Sequence, residues 1–155
     1  MKQLTDRLKR EAQQQKETEK TNATRGTVLC LTKDGLATII EIEGDDPYKI
    51  IEQLQRKTPN KITPFAIMIT CSGWASPLDK TNQNTPPSQH PERVRVHIAT
   101  AKTITATASA ITFSDNRDDI TTQDGKGELV DALDRALKHL TRKHKTHIER
   151  TTPKA

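Results

Sequence analysis

A chain of 155 residues with 32% apolar and 3% aromatic residues suits one domain, whose core must come from Ile, Leu, Val and Ala. The net charge of +5 equals that of residues 138–155, where six lysines and arginines face Glu149 alone, so the remainder sums to neutral. Two cysteines, Cys30 and Cys71, support neither a disulfide framework nor a metal-spacing motif. No run reaches the ~18 apolar residues of a membrane helix, and residues 1–20 lack a signal peptide's apolar stretch. The expectation is a reduced, cytoplasmic protein with no cofactor and no membrane partner.

Residues 1–20 read as a weak helix carrying Leu4, Leu8 and Ala12, with too few apolar anchors to dock strongly. With the linker at 21–26 they form a weakly helical or disordered N-terminal segment, residues 1–26. A single domain is expected over 27–141. Its first two strands, 27–32 and 36–43, flank Lys33-Asp34-Gly35, a hairpin signal because both turn positions favour positive φ. Asp46 as cap and Pro47 in the first turn begin a helix whose apolar face is Tyr48, Ile50, Ile51 and Leu54, and Pro59 stops it. Residues 65–71 are nearly all apolar, which predicts a central strand buried on both faces.

A long loop follows at 73–91, and loops of that length are usually functional or disordered. Next, Val94, Val96 and Ile98 alternate with Arg93, Arg95 and His97, giving a strand with one solvated face. A further strand at 103–113 needs a bulge near Ser109 and Ala110 to keep its register, and 114–127 reads as an acidic loop. Leu129, Val130, Leu133, Ala136, Leu137 and Leu140 then recur at helical spacing. Residues 142–155 read as a basic disordered tail. The fold class is α+β: a five-stranded, mainly antiparallel sheet in the order β-β-α-β-β-β-α, helices packed on one face, plus the weak N-terminal helix. In element order this is similar to roadblock/longin and profilin-like domains, a resemblance that implies a dimerising interaction module.

The strings Gly73-Trp74-Ala75-Ser76-Pro77-Leu78-Asp79 and Pro86-Pro87-Ser88-Gln89-His90-Pro91-Glu92-Arg93-Val94-Arg95-Val96 resemble a group of proteins of actinobacteria and their phages. That resemblance implies a bacterial or phage setting and carries no assigned activity.

The chemistry of this stretch narrows under inspection. His90-Pro91-Glu92 matches half of a zinc deaminase signature, but no cysteine follows Cys71 to supply the other ligands. Cys71, His90 and Asp79 can be drawn as nucleophile, base and orienter of a Cys/His enzyme. Strand alternation instead places Cys71 in the core. No phosphate-cradling glycine loop is present. Trp74 has two readings, a lid folded over the sheet end or an interface anchor. The leading expectation is a non-enzymatic interaction module, with a protein partner or a second copy of the chain. Its surface would comprise Trp74, Pro77, Asp79, His90, Glu92, Arg93, Arg95 and His97. The alternatives are an accessory nucleic-acid binder using Lys138, Arg142, Lys143 and Lys145, and the Cys/His enzyme.

Overall fold

The computed structural model describes residues 2–17, 23–76, 84–113, 121–123 and 127–152. Three helices, α1 (Lys2–Glu17), α2 (Pro47–Lys57) and α3 (Glu128–Thr151), pack against an antiparallel sheet. Its strands are β1 (Thr24–Thr32), β2 (Gly35–Gly44), β3 (Pro64–Ala75), β4 (Val94–Thr103), β5 (Thr107–Phe113) and the short β6 (Thr121–Gln123). Their spatial order is β2-β1-β3-β4-β5-β6, so the α+β architecture holds with five main strands and one marginal addition from the segment read as an acidic loop.

Local chemistry explains the first half. Thr32 pairs with Gly35, so Lys33 and Asp34 make the turn and Gly35 follows at φ 120°, a conformation other residues rarely adopt. The Asp46 carboxylate accepts from the Tyr48 N–H at 2.9 Å and Pro47 opens α2. Thr58 closes the helix, its hydroxyl donating to the Leu54 carbonyl at 2.6 Å. Ile50, Ile51 and Leu54 are buried, whereas Tyr48, expected on that face, lies in the solvated first turn.

The sheet carries a core on each face. On one side Val28, Ile67 and Ile69 meet α2 and the α3 stripe of Leu133, Ala136, Leu137 and Leu140. On the other, Leu29, Ala66, Met68, Ala99, Ala101 and Ala110 receive Leu4, Leu8 and Ala12 of α1. This corrects the expectation that helices occupy one face and that the N-terminal segment docks weakly. Four alanines on three adjacent strands form a shallow seat, so a helix with three apolar residues can approach closely enough to bury them all. Arg25 adds an ion pair to Glu11 at 3.1 Å.

Three further expectations change. The β4–β5 hairpin turns at 104–106, three residues later than the Ala101-Lys102 break in the sequence pattern. Its pairing is continuous from Val96–Phe113 to Lys102–Thr107, with no bulge at Ser109 or Ala110. The register irregularities lie along β1's two ladders instead, where Ile39 of β2 and Phe65 of β3 are the extra residues opposite Val28–Leu29 and Leu29–Cys30. Finally, α3 does not stop near Leu140 but continues regularly to Thr151, so 142–151 is helix rather than disordered tail.

Candidate functional site

Strand β3 outruns its apolar stretch. It stays paired with β4 through Ser72–His97, Gly73–Val96, Trp74–Arg95 and Ala75–Val94. Trp74 is therefore a strand residue directly opposite Arg95, and the loop begins only after Ala75. Alternation puts Ala66, Met68, Ser72 and Trp74 on the face that α1 covers, and Ile67, Ile69 and Cys71 on the α3 face.

Along the α1 face the surroundings become polar and then aromatic. Gln15, in the last turn of α1, donates to the Ala23 carbonyl at 3.1 Å and to Ser72 Oγ at 3.3 Å. Ser72 Oγ also lies 2.9 Å from His97 Nδ1. Both Gln15 and His97 are buried. His97 was expected on a solvated face with Arg93 and Arg95. Docking of α1, the feature the sequence understated, covers it.

One strand repeat beyond Ser72, roughly 6.7 Å along, stands Trp74, 39% exposed. The Arg93 guanidinium carbon lies 4.9 Å from the indole centroid and that of Arg95 5.2 Å, both within cation–π range. Arg93 is steadied by the His90 carbonyl, which accepts from its backbone N–H at 3.2 Å and from Nη1 at 3.3 Å. The indole is thus neither a buried lid nor a lone protrusion. It is a partly exposed ring with two guanidinium groups held against it.

His90 sits beneath this patch, 2% exposed, following a 3₁₀ turn at Pro87–Gln89. Its Nδ1 accepts the Glu92 N–H at 3.0 Å, which commits that lone pair to a backbone turn. His90 and His97 therefore support the surface from below and cannot present themselves to a partner, a correction to the expected contact set. Glu92 and Arg93 are exposed and Arg95 is half-buried, while Pro77 and Asp79 lie outside the described residues.

The Cys/His reading calls for a reactive thiolate at Cys71. Cys71 faces the α3 side, away from Ser72 and His97, and burial pushes its thiol above the ordinary value, which disfavours the reactive thiolate. Cys71 is half-buried, so we expect iodoacetamide at about pH 8 to label it more slowly in the folded protein than after denaturation; equal rates would contradict the raised thiol. Among the described residues no three His, Cys, Asp or Glu side chains gather to hold a metal.

Sequence reasoning missed Gln15 and Ser72, although Gln15 continues the α1 stripe three residues after Ala12. It also missed a second cationic locus. Arg56 and Lys57 at the end of α2, and Lys61 just beyond it, adjoin the basic half of α3, where Lys143 Nζ donates to the Gln55 carbonyl at 3.0 Å. No protein family, curated protein or solved structure matches the chain.

Proposed function

We propose that this protein is a small binding module, not an enzyme, whose contact surface is the sheet end formed by Trp74, Arg93 and Arg95, and that it engages an acidic segment of a partner protein. The observation that carries the reading is Trp74 in contact with two guanidinium groups, at 4.9 and 5.2 Å from its ring centroid. Stacking preorganises the arginine forks, so fewer rotamers are lost when they bind, and carboxylates suit their bidentate donor geometry. Trp and Arg are also the residue types that most often dominate interface energetics. In the bacterial or phage setting implied by the sequence resemblance, such a module would recruit or regulate rather than transform. No helix among the described residues is long and apolar enough to cross a membrane.

The test is fluorescence anisotropy of labelled peptides that place two glutamates beside an aromatic residue, against lysine-substituted controls. Wild type should bind the acidic set and ignore the controls. Trp74→Ala, folded by circular dichroism, should weaken that binding about 30-fold, the loss of a ~2 kcal/mol anchor. Equal binding by wild type and Trp74→Ala, or preference for the lysine peptides, would sink the reading.

A further inference from the structure

We propose that the groove between the C-terminal half of α3 and the α2–β3 connection binds the phosphate backbone of a nucleic acid, without reading its sequence. This surface is separate from the Trp74 patch. It lies on the opposite face of the sheet and near the opposite end of β3, a strand of 12 residues or roughly 40 Å.

The order of α3 is the starting point. Because the helix runs to Thr151, its cations hold fixed positions rather than sampling a random coil. From Lys138 to Arg150 the axis advances about 18 Å, the length of roughly five phosphates along one strand of a duplex. Tertiary structure then adds a second bank of charge. His144 Nδ1 donates to the Asn60 carbonyl at 3.0 Å, and His144 Nε2 lies 3.0 Å from Thr63 Oγ1. With the Lys143–Gln55 bond, these contacts clip α3 to the segment that bears Arg56, Lys57 and Lys61. Residues 55–63 contain no acid, and residues 138–152 contain only Glu149. The neutral sum outside the tail conceals this local excess.

An open hollow of about 370 Å³ lies along α3, bordered by Asn60 of the segment that also bears Lys57 and Lys61. Its walls include Asn60, His139, Arg142, Lys143, His147 and Arg150, and no carboxylate. Among the described residues, Arg142, Lys145 and Arg150 have no acidic partner, whereas Lys138 is paired with Asp134 at 2.9 Å. Favourable placement of cations near a helix C-terminus is confined to the last turn, so it accounts for Arg150 but not for Arg142, Lys143 or Lys145. Threonine, asparagine and histidine fill the spaces between the cations in the walls of the hollow. A lipid-binding helix would put an apolar cluster there. Hydroxyl, amide and imidazole groups suit phosphate oxygens. No Phe, Tyr or Trp lines the hollow as a platform for bases.

The test uses the full chain and a labelled 20-base-pair duplex, with anisotropy read at 50 to 200 mM KCl. Four phosphate contacts, from Arg142, Arg150, Lys57 and Lys61, predict a log–log salt slope of about −3.6 and an affinity loss of ~150-fold over that range. The pair Arg142→Ala and Arg150→Ala should flatten the slope to about −1.8, or ~12-fold. The pair Lys57→Ala and Lys61→Ala should do the same, although it is more than 70 residues away in sequence. Duplexes of unrelated sequence should bind alike, and Trp74→Ala should bind as wild type does, which separates this site from the peptide surface. Absence of binding at 50 mM KCl, a flat salt response, or full binding by the Lys57/Lys61 pair would overturn the proposal. So would binding to phosphatidylserine vesicles with none to the duplex.

Discussion

Leu8→Ala is expected to lower the free energy of unfolding by about 2–5 kcal/mol. Leu8 is the middle of the three apolar residues with which α1 covers its face of the sheet, and it is 0% exposed. Its seat is made largely of alanines, whose side chains have no rotamers with which to fill a void. A cavity term therefore adds to the lost transfer energy. Against a domain stability of about 5–15 kcal/mol, that is a large share of the total. Urea denaturation followed by far-ultraviolet circular dichroism reads it as a lower midpoint at unchanged slope. An N-terminal helix that merely rests on the surface would give a change within about 0.5 kcal/mol, and that result would refute the two-sided core. The same variant should loosen Gln15, and with it the Ser72–His97 pair beneath the Trp74 patch.

Gly26→Val is expected to cost about 1–3 kcal/mol by overpacking. Gly26 lies where α2 crosses β1. A Cβ there would stand 2.3 Å from Ile50 Cγ2, 2.9 Å from Leu54 Cδ1 and 3.2 Å from Ile69 Cδ1. All three neighbours are buried, at most 2% exposed, so none can swing into solvent. The glycine is required by close approach rather than by backbone angle, since among the described residues only Gly35 and Gly127 hold positive φ. Combining Gly26→Val with Ile50→Ala should therefore cost less than the sum of the two single changes, because the truncated side chain vacates the space the valine needs. Strict additivity in thermal melts of the four proteins would show that the two positions do not compete.

The candidate site was partly legible for a definable reason. The sequence singles out Trp74, Arg93 and Arg95 because a lone Trp beside a strand with alternate arginines stands out in a chain with 3% aromatics. It does not reveal that β3 continues through Trp74. Ser72, Gly73 and Trp74 carry no apolar alternation, and their pairing is imposed by β4 alongside. His97 misleads for a similar reason, since a histidine alternating with arginines reads as solvated until α1 is laid over it.

The elements themselves were set by local chemistry. The Lys33-Asp34-Gly35 hairpin, the Asp46-Pro47 helix start and the Leu129–Leu140 stripe each act through neighbours within a turn or two, where side-chain spacing and backbone preference suffice. Tertiary structure decided what lies against what. The α1 helix docks because alanines from β3, β4 and β5 form one seat, and no window of sequence contains all of them. The two basic segments form one groove because His144 and Lys143 reach Asn60, Thr63 and Gln55 across more than 80 residues. Their charges are visible in the sequence, but their proximity depends on how the α2–α3 layer packs against the sheet.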